Sequence, residues 1–155
     1  LYAQLMQVAG RAGRSDVRGQ VLVQTEFPDH PLYRALCEND YAAFARAQLA
    51  ERRQAGLPPF VHQALLRAEA PRLATALEFL GDAAALGRGL RQAVTIYDPV
   101  EATMSRLAGR ERAQLLVQAG SRRRLQGFLQ AWHDKLAAHA PRKVRWMLDV
   151  DPLEF

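Results

Sequence analysis

The sequence predicts a protein of the α+β class, in which an antiparallel sheet carries helices on one face. Residues 61–69 and 143–150 alternate apolar and polar side chains, which is the period of a half-buried strand. Two shorter apolar segments, 93–97 and 112–117, end at turn residues and are also typical of strands. Two long segments with apolar residues at helical spacing lie between them, which gives the order β-α-β-β-α-β.

The first part of the chain is organised differently, with helices around a single strand. The predicted elements are a helix over 1–9, a glycine-containing turn at 10–14, a short buried strand over 20–25, and helices over 32–38 and 40–54. Asp40 is predicted to cap the last helix, because its carboxylate can accept a free backbone N–H there. Leu1 lies inside a helical pattern with neither a cap nor an initiator Met, so we expect a larger protein to precede it.

A domain boundary is predicted at Gly56-Leu57-Pro58-Pro59, where glycine and proline interrupt both periodicities. We expect residues 57–59 to link a first domain, 1–56, to a second domain, 60–155.

The second domain has the order of the split β-α-β plan. Pro71 begins a helix that runs to about Leu90, and a turn at 107–110 joins two strands of a hairpin. Ser121 is predicted to cap the last helix, whose buried stripe is Leu125, Phe128, Leu129, Trp132 and Leu136. This order predicts a ferredoxin-like sheet with both helices on one face. Because that fold hosts many functions, the function must be argued from particular residues.

The formal net charge of +5 is distributed unevenly along the 155 residues. Residues 1–102 carry eleven basic and eleven acidic residues, whereas 103–146 carry ten basic and two acidic residues, a net of +8. Residues 147–155 add three acidic residues. The basic segment favours a polyanionic partner, with phosphate as the leading candidate. The alternative is a well-solvated surface rich in Arg, since 19 of the 21 basic residues are Arg.

Several classes of protein are excluded by composition. The single cysteine, Cys37, excludes a disulfide framework and a zinc site of several cysteines within this chain. No apolar run reaches the ~20 residues of a membrane-spanning helix, so we expect no membrane contact. No basic-then-apolar signal peptide opens the sequence, which predicts a cytoplasmic protein.

The most specific motif is QVAGRAGR at 7–14, of the pattern Q-x-x-G-R-x-G-R. Its glycines allow a tight turn, and its two arginines present guanidinium groups that bind phosphate oxygens in pairs. The pattern resembles motif VI of superfamily 2 helicases and translocases, where such an arginine stabilises charge developing on the γ-phosphate. The alternative is a basic helix end whose arginines bind backbone carbonyls.

Further segments narrow the resemblance. They are GQVLVQT at 19–25, PDHP at 28–31, AERR at 50–53, LPPF at 57–60 and RKVRWMLDVDP at 142–152. With QVAGRAGR, they make the chain similar to the C-terminal part of the PriA family of bacterial replication-restart helicases. The resemblance implies that 1–56 is the last piece of the second RecA-like helicase lobe and that 60–155 is the family's C-terminal domain. It also implies a cytoplasmic, nucleoid-associated protein that unwinds DNA 3′ to 5′ at stalled forks and assembles the primosome.

The resemblance assigns the ATP contacts to the motif at 7–14. Arg11 and Arg14 would be the catalytic, phosphate-contacting arginines, with Gln7 and Gly10 beside them, and ATP would bind with Mg²⁺ against a preceding lobe. The sequence holds no phosphate loop of the form G-x-x-x-x-G-K-[ST], so this segment alone is not expected to hydrolyse ATP. Zinc is expected only upstream, and no metal ligands are expected here.

The family also docks the acidic C-terminal tail of single-stranded-DNA-binding protein, and the resemblance assigns that contact to Arg122 and Gln126. Helical geometry places Arg122, Gln126 and His133 within about 40° of one another, beside the apolar stripe. A cation and an amide at the rim of an apolar surface suit a peptide carboxylate with an aromatic neighbour. The alternative is the ordinary edge of an amphipathic helix.

Five basic residues are candidates for contact with the backbone of forked or single-stranded DNA: Arg106, Arg110, Arg112, Lys143 and Arg145. The first three flank the hairpin turn, and the other two lie on the outward face of the last strand. Such contacts make binding salt dependent without making it sequence specific. The resemblance adds other primosome proteins as expected partners.

Two alternative functions are compatible with the same residues. One is a freestanding nucleic-acid-binding module of ferredoxin-like fold, in which the arginine motif binds only phosphate backbones. The other is a module that docks acidic tails, has no ATPase activity and makes little contact with DNA.

Overall fold

The computed structural model describes residues 1–12, 20–107 and 109–153. The chain divides into two compact units, Leu1–Ala55 and Gly56–Phe155. Across the described residues the structure combines helices with an antiparallel sheet, as expected of an α+β protein.

The described residues of the N-terminal unit form three helices: α1 (Tyr2–Ala9), α2 (Pro31–Glu38) and α3 (Tyr41–Gln54). Helices α2 and α3 each begin at a side chain that accepts a backbone N–H. His30 Nδ1 accepts from Leu32 at 3.1 Å, and Asp40 Oδ1 accepts from Ala43 at 2.9 Å. The predicted Asp40 cap is therefore confirmed, and it satisfies one of the N–H groups that a helix start leaves unpaired.

Aromatic rings connect α1 to α3. The ring centroid of Tyr2 lies 4.9 Å from that of Tyr41 and 6.0 Å from that of Phe44. On α2, Leu32 and Ala35 are buried. Ring contacts therefore join α1 to α3, and α2 contributes the buried aliphatic side chains of this unit.

The prediction of a strand over 20–25 is wrong. Residues 20–25 adopt no strand, and the side chain of Leu22 is 87% exposed. A strand needs a neighbour to pair its backbone N–H and C=O groups, and no described segment pairs with this one. The apolar pattern of Val21, Leu22 and Val23 therefore does not by itself produce a strand.

In the C-terminal unit, the residues that the structure describes form two helices and the strands of one sheet. In chain order the elements are β1 (His62–Ala70), α4 (Leu73–Gly89), β2 (Thr95–Ile96), β3 (Val100–Leu107), β4 (Arg110–Ala119), α5 (Arg122–His139) and β5 (Arg145–Val150). The sheet order is β2-β4-β1-β5, with β3 also paired to β4, and every pairing is antiparallel.

Over the described part of the C-terminal unit there is one strand more than in the predicted β-α-β-β-α-β order. β1 occupies one edge of β4, so β2 and β3 share the other edge, β2 opposite 117–118 and β3 opposite 110–114. Asp98-Pro99 separates them, because proline lacks the N–H that would continue the ladder. The register of β3 also shifts between Glu101 and Arg106, where the strand forms an irregularity.

The core lies between the sheet and the two helices. Alternate residues of β1 and β4 face it, and the predicted stripe of α5 packs against them: Leu125, Phe128, Leu129, Trp132 and Leu136 are all buried. Trp132 is fully buried, and its Nε1 donates a 2.8 Å hydrogen bond to the Ala83 carbonyl of α4. This bond satisfies the only polar atom of the largest side chain in the core.

The sheet face away from the helices is also covered in part. Gln63 is a polar position of the alternation predicted over 61–69, yet it is 4% exposed, and its Nε2 donates to Gln118 Oε1 at 2.9 Å. Leu65, two residues on and on the same face, is 1% exposed. β1 is a central strand with neighbours on both sides, so its outward side chains are buried more than the alternation alone suggests.

At Gly87, α4 lies close to side chains of β2 and α5. A Cβ added there would lie 2.7 Å from Ile96 Cδ1 and 3.1 Å from both Phe128 Cζ and Trp132 Nε1. Ile96 can rotate its terminal methyl, but Phe128 and Trp132 are fully buried. Gly87 is therefore the residue that permits this spacing.

We expect Gly87→Ala to be less stable than Gly81→Ala by about 1–3 kcal/mol, the usual cost of overpacking a core. Both changes gain the same helix propensity, about 1 kcal/mol, and nothing lies within 4 Å of a Cβ added at Gly81. The free energy of unfolding from urea titration of each variant measures the difference. Equal stabilities would show that the contact at Gly87 relaxes without cost.

Candidate functional site

The end of α1 carries the predicted phosphate contacts. Gln7 lies in the last turn of α1 and Arg11 lies two residues beyond its end, and both side chains are exposed. The backbone N–H groups of Gly10 and Arg11 still donate to helix carbonyls, at 2.9 and 3.1 Å. Arg14 lies outside the described residues. The structure thus places Gln7, Gly10 and Arg11 together on an exposed helix end.

Gly10 does not need a glycine's conformational freedom. Its φ of −68° and ψ of −7° are ordinary right-handed values, and an added Cβ would lie 3.4 Å from the Met6 carbonyl, an ordinary contact. Because Gly10 has no side chain, its backbone between Gln7 and Arg11 is left uncovered, and a ligand can approach it closely.

The predicted docking arginine begins α5 and forms an ion pair. Ser121 caps the helix by accepting the N–H of Arg124, as predicted. Arg122 follows the cap, and its Nη2 donates to Asp151 Oδ2 at 2.9 Å. The side chains of Arg122 and Asp151 are 65% and 49% exposed. The guanidinium is therefore held at the surface, beside the end of β5.

The same face of α5 continues toward the start of β5. Gln126, one turn after Arg122, is exposed. The ring of His133 packs edge-on against Trp146 of β5, with centroids 5.4 Å apart. Contacts at Arg122 and at His133 therefore place this face of α5 along β5, with Gln126 between them.

Arg110, one of the predicted DNA contacts, is committed to the backbone of its own unit. Its Nη2 donates to the carbonyls of Glu69 and Lys143, both at 2.9 Å. The guanidinium thus joins the end of β1 to the residues before β5. Hydrogen bonds from a charged donor are stronger than neutral ones, so these two bonds stabilise the position of β1 relative to the residues before β5.

Arg106 and Arg112 each lie near a carboxylate. Arg106 Nε is 3.6 Å from Glu111 Oε1, and Arg112 Nε is 3.3 Å from Glu69 Oε1. The Arg106 side chain is 71% exposed and that of Arg112 is 19% exposed. Arg106 therefore remains accessible at the hairpin, whereas Arg112 lies largely within the sheet surface.

Lys143 and Arg145 complete the predicted basic group, and both are exposed. Within the described parts of the chain, no hydrogen bond or ion pair is formed by either side chain. Arg145 also lines a cavity of about 170 Å³ on the outer sheet face, together with Arg67, Glu69, Arg112, Trp146 and Met147. The structure brings Arg112 and Arg145 to this cavity through their shared cross-strand neighbour, Glu69.

Two site residues carried no signal strong enough to single them out in the sequence. Arg67 is only a polar position of the alternation over 61–69 in the sequence, but it lines the cavity of about 170 Å³ and pairs with Asp149 at 3.3 Å. Asp151 was counted only as part of an acidic terminus, but it is the partner of Arg122. Both contacts join residues far apart in the sequence, and alternation or charge counting does not reveal them.

A cavity of about 600 Å³ lies between α4 and α5, with Phe79, Leu86 and Leu136 among its lining residues. None of the predicted site residues lines it. Over residues 1–12, 20–107 and 109–153, no group of three or more His, Cys, Asp or Glu side chains is arranged to hold a metal ion. In the same residues, no helix is both long and apolar enough to cross a membrane.

Comparison with known proteins gives consistent matches. The family described as primosomal protein N C-terminal domain matches residues 53–153. The replication restart protein PriA of Haemophilus influenzae is 42% identical over 152 residues, which cover 97% of this chain and 21% of that protein. The PriA proteins of Rickettsia conorii and Synechocystis are 31% and 33% identical, over 99% and 98% of this chain and 23% and 18% of their own length. The chain thus spans about a fifth of the length of these relatives.

Among solved structures, the de novo designed protein Foldit4 aligns with 59% of this chain and 97% of its own, with a TM-score of 0.45 and 4% identity. The family match covers the sheet, α4 and α5, and the matches to the relatives extend over both units. The chain therefore belongs to the PriA family and corresponds to the C-terminal region of a replication restart protein.

Proposed function

We propose that this chain is the C-terminal part of an ATP-dependent 3′–5′ DNA helicase, which unwinds forked DNA and assembles the primosome to restart bacterial replication. The observation that carries the proposal is the similarity over 97% of the chain to the Haemophilus influenzae PriA protein. The protein would act in the cytoplasm, at the nucleoid. Within it, this segment would contribute phosphate contacts, DNA backbone contacts and a docking site for an acidic tail.

The two units have separate places in this proposal. The N-terminal unit is the last piece of the second RecA-like helicase lobe. The C-terminal unit is a variant of the ferredoxin-like split, supported by the sheet order and by the core that both helices form with one face of β1. Because β2 and β3 pair with the same edge of β4, the two together take the place of one strand.

In this proposal Arg11 and Arg14 contact the phosphates of ATP, with Gln7 and Gly10 beside them. The exposure of both Gln7 and Arg11, at and just beyond the end of α1, supports it. A guanidinium stays charged and binds phosphate oxygens in pairs. The phosphate loop, the Mg²⁺ ligands and the zinc sites would belong to the part of the protein upstream of this sequence.

Replacing Arg11 or Arg14 by Ala in the full-length protein is expected to lower DNA-stimulated ATP hydrolysis by about 10³–10⁵-fold, the usual contribution of an arginine at the γ-phosphate. Steady-state turnover with saturating single-stranded DNA measures the loss. Arg46→Ala, which removes an exposed arginine from α3, is the matched control and should leave turnover unchanged. Normal turnover in both motif variants would contradict the phosphate role.

DNA contact is proposed chiefly for Lys143, Arg145 and Arg106. Each is exposed, and Lys143 and Arg145 form no side-chain ion pair in the described residues. Arg112 and Arg110 are proposed as secondary contacts, because their donors already face Glu69 or backbone carbonyls. An exposed cation gains more from a DNA phosphate than one that must first leave an internal partner.

Arg145→Ala is expected to weaken binding of single-stranded DNA and to reduce the slope of log K against log salt by about 0.7, the value for one lost phosphate contact. Fluorescence anisotropy at several salt concentrations measures both. Arg88→Ala is the control, since this variant loses the same charge from an arginine that is paired with Asp98 at 3.0 Å. An unchanged slope for Arg145→Ala would argue against a contact between Arg145 and DNA. An equal reduction of the slope for Arg88→Ala would argue against it too.

Docking of the acidic C-terminal tail of single-stranded-DNA-binding protein is proposed at Arg122 and Gln126. The structure supports this with an exposed guanidinium and an exposed amide on one face of α5, along β5. The guanidinium would bind a tail carboxylate, and the amide would bind the peptide backbone.

Arg122→Ala is expected to weaken binding of a fluorescent acidic peptide that ends in Asp-Phe by about tenfold or more, the effect of losing a hydrogen bond to a charged group. Arg124→Ala is the control, because it removes the same charge from the same turn at about 200° around the helix. Equal affinities of the Arg122→Ala variant and the unmodified chain would remove Arg122 from the site.

The second candidate is a docking module without ATPase activity, favoured by the exposed Arg122–Gln126 face. Peptide binding that depends on Arg122, together with a full-length protein that does not hydrolyse ATP, would support it. A freestanding nucleic-acid-binding module would instead bind DNA through the basic residues and ignore the acidic peptide.

A further inference from the structure

The arginine proposed to dock an acidic tail already faces a carboxylate of its own chain. Arg122 Nη2 lies 2.9 Å from Asp151 Oδ2. This carboxylate comes 29 residues later in the sequence, directly after β5. The pair lies at the surface, where a second carboxylate can reach the guanidinium from solvent, because its side chains are 65% and 49% exposed.

The backbone holds Asp151 in this position. Its N–H donates to the Gln63 carbonyl at 2.9 Å, which ties it to β1. Its φ is +54°, in the left-handed region that Asp and Asn tolerate better than most residues. The carboxylate is thus fixed beside the start of α5 by main-chain geometry as well as by the ion pair.

An incoming carboxylate must therefore share or displace an existing partner. A guanidinium can bind one carboxylate through two parallel N–H bonds, and Asp151 occupies part of that fork. A second negative charge close to the first is also repelled by it. An exposed ion pair of this kind is weak, so a tail with several acidic residues can exchange with it.

We infer that Asp151 is a built-in competitor for the acidic tail, which lowers the affinity of the Arg122 site and keeps it selective for partners with more than one carboxylate. This inference rests on the docking function proposed above for Arg122. The occupant is an acidic peptide, and Asp151 sets how strongly acidic that peptide must be.

Asp151→Asn tests the inference, because Asn keeps the side-chain shape and tolerates the same φ while removing the charge. We expect the 155-residue chain with this change to bind the acidic Asp-Phe-ended peptide about two- to fivefold more tightly, the size of a surface ion pair's contribution. Asp149→Asn is the matched control, since it removes the same charge two residues earlier from a pair with Arg67. Fluorescence anisotropy measures each affinity, and thermal unfolding by circular dichroism checks each fold.

The inference would be overturned if the Asp151→Asn variant bound the acidic peptide no more tightly than the Asp149→Asn variant does. Asp151→Gly, which also permits a positive φ, provides a second variant if the first does not fold. Arg122→Ala separates this failure from failure of the docking proposal. If Arg122→Ala weakens binding but Asp151→Asn does not strengthen it, the docking site at Arg122 is supported and competition by Asp151 is wrong. If Arg122→Ala has no effect, both are wrong.

The double variant completes the test. In a chain that already carries Arg122→Ala, the gain from Asp151→Asn should disappear, because the two residues act on the same contact. A gain of the same size in both backgrounds would mean that Asp151 repels the peptide from a distance, and it would overturn competition at Arg122.

Discussion

The position of α5 depends on how closely α4 packs against it. Trp132 lies between these helices, and its hydrogen bond to the Ala83 carbonyl removes the cost of burying an indole N–H. Gly87 allows the approach because it adds no atom where Trp132, Phe128 and Ile96 meet. A larger residue at 87 would push α5 away from the sheet, and everything that α5 carries at its first turn would move with it.

The first turn of α5 lies against the end of β5 for that reason. The stripe from Leu125 to Leu136 fixes the rotation of the helix, so Arg122 and His133 face β5 and the residue that follows it. The polar contacts at this face are individually weak. Their geometry is precise because the apolar contacts beneath them are extensive, and the core thereby determines which charges meet at the surface.

The parts of the fold that depend on local pattern could be predicted from the sequence. The Asp40 and Ser121 caps and the buried stripe of α5 are set by residues within a few turns of one another. The parts that depend on distant partners could not. The segment 20–25 has the composition of a strand but no partner among the described residues, and the ion pair of Arg122 joins residues 29 apart. For the candidate site, the sequence identified the basic residues, but only the structure shows which of them already have partners.

The irregular strand β3 has a consequence for the whole molecule. A regular edge strand exposes a row of unpaired N–H and C=O groups onto which another chain can add a strand. β3 breaks that row where its register shifts between Glu101 and Arg106, and the exposed charge of Arg106 opposes a close neighbour. At the other edge, β5 carries the charged residues Arg145 and Asp149. Both edges of the sheet are thereby protected against pairing with the sheet edges of other copies, which would lead to aggregation.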